Sequence, residues 1–204
     1  VVPIQRPSEP PAKAALRALA RRRRDALAEA VRAAHSQAAS ARAVALLAAA
    51  RPKAIAAYGA FSSEADPAAA VAWAEGEGIE IGLPAMVDAA TMAFRRRRRG
   101  EALAPDALSI AAPGPDAPVV IPDAVIVPLT AFDRTGTRLG KGYGIYDRWV
   151  SAERAAGRDP LLIGLAFSVQ EVDAIPAEPH DIRLHHLVTE RETLTFAAPP
   201  KGRT

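Results

Sequence analysis

The run Ala-Val-Ile-Val-Pro-Leu at residues 124–129 constrains this chain more than any other segment. It has no polar face, so a strand formed from it must be covered on both sides, as in the centre of a parallel sheet. A loop carrying Gly136, Gly140, Gly142 and Gly144 follows, and then a helical segment with Tyr146, Trp149 and Glu153. Short apolar runs recur at residues 54–58, 79–83, 161–167 and 187–189, with helical stretches between them. Alternation of this kind predicts a three-layer α/β/α, Rossmann-like fold with a mainly parallel sheet and helices on both faces.

Residues 11–40 lack internal glycine and proline and place Leu16, Leu19, Leu27 and Val31 at helical spacing, which predicts one long amphipathic helix. Residues 42–50 continue as a second helix or a broken extension, ending before Pro52. Asp66-Pro67 reads as an N-cap followed by proline in the first turn of the next helix. The strand at 79–83 is expected to lead into a turn at Pro84. Residues 91–95 read as an edge strand, 108–111 as a short strand and 113–122 as a proline-rich surface loop. Residues 12–197 are expected to form a single α/β domain, with a loose leader at 1–11 and a flexible tail at 198–204.

The chain has 204 residues, half of them apolar, and no cysteine. That supports a buried core and excludes disulfides, thiolate metal sites and a cysteine nucleophile. The formal net charge of +3 is too small to imply nucleic-acid binding by itself. The five arginines at 95–99 lack interleaved aromatic residues and read as a solvated hairpin or loop. His180, His185 and His186 match no zinc spacing, and no serine stands in a nucleophile elbow. No apolar run is long enough to cross a bilayer. The expectation is a soluble, cytoplasmic monomer whose partners are small molecules, not nucleic acid or membrane.

In open α/β sheets, ligands gather beyond the carboxyl ends of the strands. The segment at 137–148 occupies such a place. Alternating glycines let the backbone approach a phosphate, and the helix that follows adds a dipole favourable to anions. Arg138 and Lys141 supply positive charge, and Asp147 is placed to hold a magnesium ion between phosphates. The segment is neither a Walker loop nor a dinucleotide fingerprint, and a tight strand-to-helix turn explains its glycines equally well. Lys13 and Arg17 lie one helical turn apart and can face one anion, although a solvated basic face reads the same. Glu64 follows a strand in a loop, a common place for binding residues. Asp181 is a possible second magnesium ligand, or a turn or helix cap.

Together these segments resemble the 5-formyltetrahydrofolate cyclo-ligase (methenyltetrahydrofolate synthetase) family. Residues 122–148, PDAVIVPLTAFDRTGTRLGKGYGIYDR, are similar to its signature of apolar strand, Ala-Phe-Asp, Arg-Leu-Gly, glycine loop and Tyr-Asp. Residues 163–190 match its closing pattern, with Gln170, Pro176, Glu178, His180-Asp181 and Thr189-Glu190. Lys13-Ala-Ala-Leu-Arg17 resembles its helix-borne Lys and Arg. The resemblance implies ATP binding by Lys13, Arg17, Arg138, Gly140, Lys141, Gly142, Tyr143, Gly144, Ile145 and Tyr146. It implies Mg2+ on Asp147 and Asp181, and folate contacts from Glu64, Lys141, Gly142, Tyr143, Gly144 and Ile145. Lys13, Arg138 and Lys141 would carry the catalytic charge. Tyr143, Ile145, Ala85 and Ala112 depart from the common pattern, chiefly on the substrate side. They define the alternative, a relative of the same fold that binds ATP or folate without the cyclo-ligase turnover or with a shifted substrate.

Overall fold

A computed structural model describes residues 10–88, 90–105 and 111–197. The helices are α1 (Pro11–Asp25), α2 (Glu29–Ala50), α3 (Ala68–Gly76) and α4 (Ile145–Ala155). The strands are β1 (Ala54–Ala56), β2 (Glu80–Met86), β3 (Met92–Arg96), β4 (Ala104–Pro105), β5 (Ala111–Ala112), β6 (Val119–Val120), β7 (Ala124–Pro128), β8 (Ala131–Phe132), β9 (Arg138–Leu139), β10 (Leu161–Leu165), β11 (His186–Val188) and β12 (Thr193–Thr195). Eight of them form one sheet in the order β12-β11-β10-β7-β1-β2-β3-β6. The run from β11 to β2 is parallel, while β12, β3 and β6 are added antiparallel at the two sides.

The central strand behaves as its composition requires. Ala124 and Ile126 pack into a core with Ala39, Ala43 and Leu47 of α2 and Ala70, Val71 and Ala74 of α3. Val125 and Val127 turn to the opposite face, where Val150 and Trp149 of α4 cover them together with Phe94. Because side chains alternate along a strand, a run with no polar residue demands two such layers, and helices supply both. The sheet is thus a three-layer α/β/α arrangement.

Several local expectations need correction. The long N-terminal helix is interrupted at residues 26–28, and α2 then runs unbroken from Glu29 to Ala50. No proline or glycine marks the break. It is imposed from outside, because Ser63 of the β1–α3 loop bonds both Arg24 Nε and the Asp25 carboxylate at the end of α1. Strand β2 passes through Pro84 instead of turning there. Its parallel partner β1 ends opposite Gly82, so beyond that point only β3 needs backbone donors from β2. The strand read at 91–95 is β3, but β6 lies outside it, and β6 arises within the expected loop at 113–122. Pro67 stands at the N-cap, and the Asp66 carboxylate still caps α3 by accepting from Ala68 N at 2.9 Å. The arginine run is a solvated loop only in part: Arg98 and Arg99 are exposed beyond β3, whereas Arg95 and Arg96 belong to β3, Arg95 donates to Ala117 O, and Arg96 and Arg97 pair with Glu80 and Glu75. The predicted tail, nearly all of the leader, and residues 108–110 of the short strand lie outside the described residues.

Past β11 the chain turns on Thr189, whose hydroxyl accepts the N–H groups of Arg191 and Glu192 at 3.2 Å each. Glu190 beside it folds inward and accepts both the N–H and the hydroxyl of Ser168. Burial pushes the Glu190 carboxyl up, but these bonds outweigh it and hold the group below its ordinary value. A depressed carboxyl stabilises above its unfolded pKa and loses that contribution as pH falls through the folded value. The Glu190→Gln variant is therefore expected to lose about 1–3 kcal/mol at neutral pH, with the deficit shrinking below about pH 4. Urea unfolding as a function of pH measures both.

Candidate functional site

In chain order β1 steps to β2 on one side, and the chain then crosses back to place β7 on the other side of β1. Such a reversal parts the loops at the carboxyl ends of the two strands and leaves a crevice. A cleft of about 870 Å³ opens there, floored by Pro128, Leu129 and Thr130 at the end of β7 and by Tyr58 and Gly59 after β1. Every residue singled out in the sequence as a candidate site residue lines it. The chain has few lysines, and Lys13 and Lys141 both reach this cleft.

The floor is held from beneath by Gln170. This buried amide donates to the carbonyls of Leu129 at 2.9 Å and Thr130 at 3.0 Å, and its oxygen accepts Phe167 N at 2.8 Å. The Ala-Phe-Asp segment forms the adjoining hairpin of β8 and β9. Asp133 at its turn is buried and accepts the N–H groups of Thr135, Thr137 and Ile175. Its role is to fix the hairpin that carries Arg138.

Helix α1 lies across the cleft, packing Ala20 and Leu16 on Ala131 and Leu139 of the hairpin. Lys13, only 4% exposed, reaches Glu178 at 2.5 Å and Asp181 at 2.7 Å. Burial works against its ammonium, yet the two carboxylates more than offset this and raise its pKa. Asp181 is likewise pushed up by burial but held below the usual carboxylate range by Lys13 and by the Glu178 N–H. One turn along, Arg17 Nε donates to Gly140 O at 2.7 Å, which fastens the helix to the glycine loop.

That loop takes backbone angles only glycine adopts easily, with φ of 95° at Gly142 and 64° at Gly144, the N-cap of α4. Arg148 in the first turn of α4 reaches back to Tyr143 O at 2.8 Å and across to Ala90 O. Arg138 is buried and donates to Asp147 Oδ1 at 3.0 Å and to Ile182 O, while Ile182 N donates to the same Asp147 oxygen at 3.0 Å. Lys141 lies 3.1 Å from Glu64 and so joins the glycine loop to the β1 loop. The Tyr146 hydroxyl is buried without a hydrogen-bond partner among the described residues, and burial, with Glu64 nearby, pushes the phenol up. Residues that β2 and β3 lend to the cleft, namely Pro84, Met86 and Met92, are apolar.

Oxygen donors suited to a hard divalent cation are present. Glu178, His180 and Asp181 bring one ligand atom each to within 4.8 Å of one another. Asp147 stands outside that group, and its hydrogen bonds from described residues all fall on Oδ1, which leaves Oδ2 for a cation. Sequence reasoning gave no role to Glu178, Gln170, Phe61 or Arg148. Glu178 and Gln170 stood in the quoted closing pattern, whereas Phe61 and Arg148 carried no signal beyond their neighbours. Ala85 and Ala112 are buried and do not line the cleft, whereas Tyr143 and Ile145 do.

Replacing Gln170 by Leu strands two buried carbonyls and an N–H. It is expected to cost about 2 kcal/mol or more, read as a lowered urea midpoint with an unchanged slope.

A family model described as the 5-formyltetrahydrofolate cyclo-ligase family matches residues 9–190. The 5-formyltetrahydrofolate cyclo-ligase of Mycolicibacterium smegmatis is 39% identical over 69 residues, which is 34% of each chain. That of Escherichia coli K12 is 32% identical over 121 residues, or 57% of this chain and 65% of the relative. The first of these alignments thus spans about a third of the relative's own length. A 5,10-methenyltetrahydrofolate synthetase structure from Aquifex aeolicus superimposes with a TM-score of 0.75 at 28% identity, covering 94% of this chain and 95% of the other. One from Mycoplasma pneumoniae, at 23% identity, shares the fold with a TM-score of 0.70 over 88% of this chain and 99% of the other. With the match running across almost all of the described structure and the cleft, the chain belongs to the 5-formyltetrahydrofolate cyclo-ligase family.

Proposed function

We propose that this protein converts 5-formyltetrahydrofolate to 5,10-methenyltetrahydrofolate, using ATP and Mg2+ and releasing ADP and phosphate. The observation that carries this reading is the convergence of Lys13, Arg17, Arg138, Lys141 and the glycine loop on one cleft that also holds Glu64 and an apolar wall. The formyl oxygen on N5 is a poor leaving group. Transfer of the γ-phosphoryl group to it, with release of ADP, makes it a good one; N10 attacks the activated carbon and closes the five-membered ring, and loss of the N10 proton and of phosphate leaves the methenyl bridge. Such transfer asks the protein for positioning and charge neutralisation, not for a covalent nucleophile.

In this reading the N–H groups of the glycine loop and the start of α4 cradle the phosphates, with Gly140, Gly142, Tyr143, Gly144, Ile145 and Tyr146 along the nucleotide. Lys13 and Lys141 neutralise charge that develops during transfer, while Arg138 orients Asp147. Glu64 meets the folate beside Lys141. Asp147 and Asp181 would hold Mg2+, which would supply charge neutralisation to the phosphates. Lys13 pairs with Asp181 and Glu178 at the edge of the cleft, where its ammonium would also lie close to the phosphates. Residues 12–197 acting as one domain, a monomeric state and a cytoplasmic setting complete the proposal.

Mixing protein with 5-formyltetrahydrofolate, ATP and Mg2+ and following the near-ultraviolet absorbance of methenyltetrahydrofolate tests this. Asp147→Asn retains an oxygen able to accept from Arg138 and Ile182 N but loses the charge. Product formation should require ATP and fall by about a hundredfold or more in this variant and in Lys141→Met. No product from folded wild-type protein would overturn the reading in favour of a binding relative with a remodelled substrate side.

A further inference from the structure

Among the described residues, the large apolar side chains most exposed to solvent are Val31, Phe61, Val87, Leu103, Val119 and Ile121, and of these only Phe61 lines the cleft. Phe61 is 60% exposed. An exposed phenylalanine keeps water against a large apolar surface, a cost that a ligand lying on it would remove.

The loop that carries Phe61 is fastened. The Glu64 carboxylate accepts Phe61 N at 3.1 Å, and Glu64 N donates to Phe61 O at 3.2 Å. Ser62 between them adopts a left-handed backbone with φ of 57°, an unusual conformation for a residue other than glycine. Ser63 is buried and tied to Arg24 and Asp25. Phe61 is therefore presented by a braced turn. The Lys141 ammonium lies 5.2 Å from the centre of its ring while also pairing with Glu64. The aromatic face thus stands next to the lysine assigned to phosphoryl transfer.

We propose that Phe61 is the platform on which the p-aminobenzoyl ring of the folate substrate stacks. This inference rests on the cyclo-ligase reading and extends it. The pterin is rich in hydrogen-bonding groups and needs polar partners, which the buried Glu64 carboxylate offers farther in. Phe61 offers none and stands at the solvent end. The substrate's glutamate must reach solvent, and the ring that joins it to the pterin has to pass the mouth. N10 is attached to that ring, so holding it flat also aims the nitrogen that closes the new ring at the formyl carbon beside Lys141.

Affinity for two ligands separates the possibilities: 5-formyltetrahydrofolate, and 5-formyl-6-methyltetrahydropterin, which lacks the p-aminobenzoyl ring. Phe61→Ala is expected to weaken the folate about tenfold and the pterin by less than about twofold. Phe61→Leu, which keeps apolar volume but has no flat face, should lose most of the same affinity, and Phe61→Tyr should restore it. The KM for ATP should stay unchanged throughout. Equal weakening of both ligands would overturn the proposal by placing the pterin on Phe61, and so would an unchanged folate affinity in Phe61→Ala. A wild-type protein that binds neither ligand would overturn the folate reading itself.

Discussion

The ion cluster of Lys13 with Glu178 and Asp181 joins chain positions 165 and 168 residues apart. Removing an ammonium from water costs several kcal/mol even after relaxation, so a lysine this buried requires carboxylates placed against it. That requirement fixes where α1 lies. With Lys13 anchored, Arg17 meets Gly140 one turn later and Leu16 and Ala20 settle on the β8–β9 hairpin. The helix becomes one wall of the cleft, and the segment around residues 178–182 is drawn to its edge. Asp147 is held by the same segment through Ile182 N, so the two carboxylates proposed for the metal are both positioned by it.

Beneath that wall, the chain crosses between β7 and β1, which parts their loops without any special residue. Gln170 and Asp133 then spend their hydrogen bonds on backbone groups of the floor and the hairpin. They set the positions of residues that line the cleft while remaining below it. Their presence among the segments that mark the family is thus accounted for by architecture, apart from any contact with substrate.

Much of this was legible in the sequence for local reasons. The all-apolar run at β7 could be satisfied only by two covering layers, and the glycines at 142 and 144 announced backbone angles that other residues resist. Lys13 and Arg17 were readable as a pair through their helical spacing, and a shared site with Gly140 and Asp181 was implied only by the family resemblance; their direct contacts with those residues were not foreseen. What stayed hidden depends on distant partners. The break after Asp25 answers to Ser63, the extension of β2 through Pro84 answers to β3, and the arginines at 95–97 answer to Ala117, Glu80 and Glu75. Phe61 carries no pattern in sequence, since only the cleft distinguishes it from other exposed apolar residues.

In the proposed function, the lysine neutralised by Asp181 and Glu178 serves a magnesium nucleotide in the same cleft. Calorimetric titration of ATP into wild-type protein and Lys13→Met, with and without Mg2+, tests it most directly, with circular dichroism confirming that both remain folded. Wild-type binding should depend on Mg2+, and the variant should bind at least about tenfold more weakly, in keeping with loss of a charge-assisted contact. A folded Lys13→Met protein that binds the magnesium nucleotide as tightly as the wild type would contradict the claim.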